Sequence, residues 1–269
     1  MKFRLLLVGL LAACTSQAAV VDTLKVQSPS MNNKLEVLVV TPEKKSSNPL
    51  PVVYLLHGYS GNARSWLEIN PDIKKIADRD QMIIVCPDGK NSWYWDSPKN
   101  PSSRFETFVS KELIEYVDSH YPTIKNKKGR AITGLSMGGH GAMFLAFRHK
   151  DTYGAVGSTS GGVDIRPFPN NWEMAKQIGN ESENRELWET HTAINEIDRL
   201  ANGDLAIIFD CGYSDFFFEV NNLFHQKLLK YKIDHDFYVR PGAHNGEYWK
   251  NSIVYQLLFF KNFFDKNKK

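Results

Sequence analysis

Cysteine is scarce: Cys14, Cys86 and Cys211 are the only three in 269 residues. So few cannot build the disulfide framework of a small secreted scaffold. Long hydrophobic runs are missing too. A membrane-spanning helix needs about 20 apolar residues, and no segment approaches that, so no transmembrane helix is expected. Charge of one sign is not in excess: 33 Lys and Arg face 30 Asp and Glu, a formal net charge of +3. Without residues 1–13, which hold Lys2, Arg4 and no acid, the balance falls to +1. A nearly neutral chain has no electrostatic footprint for nucleic acid. There is no H-E-x-x-H, no Cys/His cluster, and no G-x-G-x-x-G after a strand. Neither a metal nor a dinucleotide cofactor is therefore expected.

What is present begins with a leader. Lys2 and Arg4 precede a short apolar stretch over 5–13, and small residues follow. That order is a secretory signal over 1–18. Two cleavage sites compete. Leu11-Ala12-Ala13-Cys14 reads as a lipobox, which would anchor the chain to a membrane through Cys14; Ser16-Gln17-Ala18 reads as an ordinary site. Export to the periplasm, the cell exterior or a lipid-anchored state is expected. Residues 19–269 then form one domain, a size that α/β folds reach as a single unit.

Apolar runs alternate with helical stripes along that domain. Strands are expected over 35–40, 52–56, 82–86, 131–133, 155–159, 205–209 and 237–239. Helical spacing marks Ile73, Ile76 and Ala77, then Phe105, Val109, Leu113 and Val117, then 138–147. It recurs at Val220, Phe224, Leu228 and Tyr231, and at Ile253, Leu257, Phe260 and Phe264. Such alternation predicts an α/β fold, a mostly parallel sheet with helices on both faces. Ligands in such sheets bind at the carboxyl ends of the strands. Residues 162–202 break the rhythm and read as an insertion, either lining the active-site edge or packed on the surface.

Gly134-Leu135-Ser136-Met137-Gly138 is a G-x-S-x-G element between a strand and a small-residue helix, the setting of a nucleophile elbow. A serine hydroxyl is a weak nucleophile until a base takes its proton. In the α/β-hydrolase order the acid and then the histidine follow the serine. Of eight histidines, His244 lies in a Gly-rich loop directly after the last strand, while His57 precedes the serine and suits a structural turn. Asp210 and Asp215 both follow the strand over 205–209. Asp215, further into the loop, is the better placed to orient an imidazole; its other role would be to cap the next helix. The backbone N–H of Met137 and that of Tyr59, in the His57-Gly58 loop, would form the oxyanion hole. In the usual strand order of this fold, Cys86 and Cys211 end strands four positions apart. At about 4.8 Å per strand they stand roughly 19 Å apart, against about 7 Å between Cα atoms for a disulfide. Two free, buried thiols are expected.

With these residues placed, the chain resembles the esterase D-like family of serine esterases over about residues 35–265. That family includes feruloyl, acetyl and tributyrin esterases, S-formylglutathione hydrolases and mycolyltransferases. The marks are Tyr54-Leu55-Leu56-His57-Gly58 with Gly61, Pro87-Asp88-Gly89 with Ser92-Trp93-Tyr94, the elbow extended through Gly139-His140-Gly141-Ala142, Asp210-Cys211-Gly212 with Asp215-Phe216, and Gly242-Ala243-His244. The resemblance implies an α/β-hydrolase fold, the triad Ser136, Asp215 and His244, and oxyanion donors at Tyr59 and Met137. With the leader, it implies a secreted carboxylesterase acting on small or carbohydrate-linked esters, feruloyl or acetyl groups on plant polysaccharides first. Short-chain acyl esters and S-formylglutathione are the alternative substrates, and an inactive binding protein is the alternative outside enzymes. Trp93 and Trp95 suit an aromatic acyl group or a sugar ring; packing of their own long loop is their other role.

Overall fold

The computed structural model describes residues 19–44 and 46–268. The leader, both cleavage sites and Cys14 lie outside them. Eight strands form one sheet: β1 (Val20–Ser28), β2 (Asn33–Thr41), β3 (Val52–Leu56), β4 (Ile83–Pro87), β5 (Arg130–Gly134), β6 (Ala155–Thr159), β7 (Ala206–Gly212) and β8 (Asp236–Arg240). Their order is β1-β2-β4-β3-β5-β6-β7-β8. β2 is antiparallel to both β1 and β4, and β3 to β8 are mutually parallel. A mostly parallel eight-stranded sheet in this order, with helices between the strands, is the α/β-hydrolase architecture.

β3, β4, β5 and β6 are buried along their whole length, as expected of strands covered on both faces. Successive side chains feed opposite cores. Tyr54, Ile132, Val156 and Phe209 face one core. Val53, Ala131, Ala155 and Ile208 face the other, where Ile253, Leu257, Phe260 and Phe264 of the final helix Gly246–Lys266 cover them. Those four residues are the stripe marked by the sequence.

Three departures from the sequence reading have physical causes. The strand pattern above omits β1: among the described residues it is an edge strand paired with β2 alone, and most of it stays partly exposed, so it lacks the dense apolar run of a central strand. Tyr231 lies just past its helix, Phe218–Lys230, and is exposed. The stripe Phe105, Val109, Leu113 and Val117 is fully buried, but the helix that carries it contains a π turn at Phe108–Glu112 between α segments Phe105–Thr107 and Leu113–His120. A spacing of four drifts about 40° per step on an ideal α-helix. The wider turn absorbs that drift and keeps all four side chains on the sheet side.

Cys86 and Cys211 are free and buried, on strands four places apart. Burial pushes the Cys86 thiol up to about 12 and the Cys211 thiol well above its ordinary value. Both are neutral thiols rather than reactive thiolates. Among the described residues, no helix is long and apolar enough to cross a membrane.

Candidate active site

The loops after β3, β5, β7 and β8 meet at the carboxyl edge of the sheet. Between β5 and the helix Met137–Arg148, Ser136 turns the chain through φ 56°, ψ −117°. Such a conformation costs a non-glycine residue about 1–3 kcal/mol and persists only where surroundings impose it. Here the Ser136 N–H donates to Thr159 O at 3.0 Å, and the His140 N–H donates to Ser136 O at 3.0 Å. The turn is also tight. A Cβ on Gly138 would stand 2.3 Å from Leu56 O, and one on Gly134 would stand 2.4 Å from the Gly138 backbone. Glycine at these two places lets β5, β3 and the helix close together, and the serine projects from the bend.

His244 Nε2 lies 2.9 Å from Ser136 Oγ. On the far side of the ring, Nδ1 lies 2.9 and 3.1 Å from the two carboxylate oxygens of Asp215. The carboxylate fixes the tautomer: Nδ1 carries the proton and donates to Asp215, leaving Nε2 free to accept from the serine hydroxyl. Asp215 is buried, while Ser136 and His244 remain partly open. Asp215 Oδ1 also accepts the Phe217 N–H at 2.8 Å, so orienting the imidazole and tying down the next helix are compatible. Next to His244 in the chain, Asn245 caps the last helix, its side chain accepting the Tyr248 N–H at 3.0 Å.

Asp210, the other acid that follows residues 205–209, is occupied elsewhere. It accepts from Thr159 Oγ1, Ser252 Oγ and Gln256 Nε2 at 2.9 Å or less, and Arg240 stands 3.2 Å away. It locks β6, β7 and the last helix together.

Gly58 presses against the elbow: a Cβ there would lie 2.5 Å from Leu135 Cδ1 and 3.3 Å from Ser136 Cβ. This brings Tyr59 beside the serine. Among the described residues, the Tyr59 and Met137 N–H groups have no protein acceptor, as donors awaiting an anion should. His57 sets the loop's path. Its Nδ1 donates to Gly58 O at 2.7 Å, and its Nε2 accepts the Gly89 N–H at 2.8 Å. The Tyr94 hydroxyl donates to His57 O. Burial alone would raise the Asp88 carboxyl, but the Lys90 ammonium and backbone N–H outweigh it and hold the group well below the usual carboxylate range. The Pro87-Asp88-Gly89 turn is thus a buttress for the loop that offers the second donor.

The structure corrects the expectation for Trp93 and Trp95. Both are buried and stacked on each other at 5.6 Å, and neither reaches the cleft at Ser136. The Trp95 indole donates to His140 Nε2 at 3.1 Å, and the Trp93 indole donates to Trp172 O at 3.3 Å. An indole buried with its N–H satisfied is worth more as core than as an open platform. The cleft, about 390 Å³, is walled instead by Tyr59, Trp172, Phe216, Ile69 and Trp249 around Ser136 and His244. Trp172 stacks on Phe216, which packs 4.3 Å from the His244 ring, and Trp249 meets that ring edge-on at 5.0 Å. These residues carried weak sequence signals. Phe216 adjoins the acid, Trp249 follows the histidine by five, and Trp172 sits in the insertion, which does reach the cleft.

The chain matches the Esterase family model over residues 28–260. It is 26% identical over 236 residues to an acetyl esterase of Caldicellulosiruptor saccharolyticus, covering 79% of this chain and 86% of the relative. A solved ferulic acid esterase is 30% identical and superposes with a TM-score of 0.78 over 91% of this chain and 98% of that one. The S-formylglutathione hydrolase of Staphylococcus aureus, 21% identical, shares the fold with a TM-score of 0.79 over 90% and 99%.

Proposed function

We propose that this chain, which belongs to the esterase family and is a carboxylic ester hydrolase, is an exported serine esterase whose nucleophile is Ser136. The observation that carries the reading is the hydrogen-bonded file Asp215–His244–Ser136 at the mouth of an aromatic cleft. His244 Nε2 takes the hydroxyl proton as Oγ attacks the ester carbonyl. The tetrahedral oxyanion forms against the Tyr59 and Met137 N–H groups, where the positive end of the helix Met137–Arg148 adds its field. Collapse expels the alcohol, which receives the proton from the imidazolium, and leaves an acyl-Ser136 ester. Water, deprotonated by His244, attacks that ester. The second collapse releases the acid and restores the hydroxyl. Asp215 stabilises the imidazolium in both halves without taking the proton itself.

The acyl groups we assign are feruloyl or acetyl, removed from plant polysaccharide-derived esters. Support comes from the acetyl esterase relative, the ferulic acid esterase structure and the aromatic wall of Trp172, Phe216 and Trp249. Export rests on the leader-like residues 1–18, with Cys14 as the lipid-anchor position. The test is kcat/KM on methyl ferulate and p-nitrophenyl acetate, for the protein and for Ser136→Ala. Loss of both activities by at least about 10³-fold in the variant is expected. Undiminished turnover in Ser136→Ala would overturn the mechanism. Turnover of acetate alone would remove the feruloyl assignment and leave acetylated sugars.

A further inference from the structure

A second cleft, about 370 Å³, lies beside the first. It is bounded by the β1–β2 hairpin, the loop from Lys90 to Ser103 and the short helix Met174–Ile178. Two contacts join the clefts. The Ser60 N–H donates to Asn91 Oδ1 at 2.9 Å, with Ser60 lining the first cleft and Asn91 the second. Trp172 lines the first and its neighbour Glu173 lines the second, through consecutive left-handed residues with φ 49° and 56°. A strained pair at that corner turns two adjacent side chains into two different clefts.

The chemistry of the second cleft is unlike that of the first. Amides and hydroxyls line it: Asn33, Asn91, Asn100, Ser102, Ser103 and Gln177. An apolar floor of Met31, Leu35 and Phe105 lies among them. Its two cations are already neutralised, Lys90 on Asp88 and Lys176 on Glu173. Two polar atoms are left without partners among the described residues. Ser103, only 4% exposed, has an unbonded buried hydroxyl, and Gln177 has an unbonded buried amide oxygen. A buried polar group left unmade costs about 1–3 kcal/mol, and each such group calls for an explanation. The rest of that wall is well bonded: Ser97 N–H donates to Ser103 O, Ser103 N–H to Asn100 O, and Ser97 Oγ to Gln177 O. The orphans sit in an otherwise ordered frame.

Amide and hydroxyl groups over an apolar floor, without free charge, match a neutral sugar: hydroxyls at its edge, C–H groups on its face. We propose that this cleft is a saccharide subsite for the alcohol side of the ester, one or more sugar units beyond the bond cleaved at Ser136. The assignment rests on the esterase reading above for its position relative to the reacting bond. The ligand class rests on the cleft alone.

The test uses Gln177→Leu, which keeps the bulk and removes the amide, and Ser102→Trp, which fills the cleft from its exposed rim. Kinetics compare a sugar ester with a simple ester of the same acid: feruloylated arabinoxylotriose against methyl ferulate, and acetylated xylotriose against p-nitrophenyl acetate. For at least one pair, the protein is expected to favour the sugar ester at least about 10-fold in kcat/KM. Each variant should lose that preference while keeping its rate on the simple ester within about 3-fold. In parallel, saturation-transfer NMR follows unesterified xylotriose on Ser136→Ala, with and without Ser102→Trp. Binding that Ser102→Trp abolishes is expected. Absence of any sugar preference, or a preference untouched in both variants, overturns the subsite even if the simple esters are hydrolysed. Sugar binding with unaltered ester kinetics overturns its role on the alcohol side. Failure of simple-ester hydrolysis with xylotriose binding intact would count against the esterase reading and not against the cleft.

Discussion

At the scale of single residues, the histidines show how one side chain is put to different uses by its neighbours. His244 has a carboxylate at one nitrogen and a hydroxyl at the other. His140, four residues beyond the serine, is fully buried: its Nδ1 donates to Gly162 O and its Nε2 accepts from the Trp95 indole. A second proton on this ring would aim an N–H at an N–H. Burial, with His191 adding to it, lowers His140 to about 3, although Gly162 O and Asp164 favour its charged form. The unfolded value is about 6.5, so below that pH the unfolded chain binds a proton that the folded chain refuses. Stability from this group is complete above pH 6.5 and is lost as pH falls toward 3. Between pH 6.5 and 5 the loss is about 2 kcal/mol. His191, also lowered by burial, acts in the same sense. His140→Gln can keep both hydrogen bonds without titrating. Urea unfolding at pH 7 and pH 5 should therefore show a difference about 2 kcal/mol smaller in the variant; an identical difference would mean that His140 is protonated in the folded protein.

At the scale of elements, the bend between β5 and its helix depends on what is absent from Gly138. Alanine within a helix is ordinarily about 1 kcal/mol better than glycine. Here its methyl would stand 2.3 Å from Leu56 O and 2.6 Å from His57 O, both backbone atoms of the strand and loop that carry Tyr59. Neither can swing aside as a side chain can. Gly138→Ala should cost about 3 kcal/mol, which for a chain of this size lowers Tm by about 6–12 °C. Differential scanning calorimetry reads this directly, and an unchanged Tm would show that the elbow is not close-packed. The same bend explains why so much of this fold was legible in the sequence. Gly134 and Gly138 frame the serine at a spacing that only a tight strand-to-helix turn requires, and the all-apolar run 52–56 can be satisfied only by burial on both faces. β1 was not legible because, among the described residues, it pairs with β2 alone and most of it stays partly exposed. The π turn at Phe108–Glu112 was not legible because a spacing of four is compatible with an ordinary helix.

At the scale of the whole molecule, the cleft is assembled from segments distant in the chain, which no linear pattern brings together. The Ser–Asp–His file could be anticipated because its order along the chain follows strand order. Which aromatics are walls and which are core could not, since Trp93 and Trp172 are alike in composition and differ only in what packs over them. Trp93 carries Trp172: its indole bonds the Trp172 carbonyl, and the rings lie 6.1 Å apart. Residues 162–202 thereby reach across the sheet edge and lay one tryptophan against Phe216, beside His244. A planar acyl group entering the cleft would meet this pair, whereas an acetyl group is too short to need it. Aromatic stacking contributes about 0.5–1.5 kcal/mol beyond the area buried, so removing one ring and its contact area should cost a planar acyl group about 10-fold or more. Trp172→Ala is expected to lower kcat/KM on methyl ferulate by that factor and to leave p-nitrophenyl acetate within about 3-fold. An equal fall on both esters would mean that Trp172 holds the His244 loop in place rather than the acyl group, because a displaced imidazole slows every substrate alike.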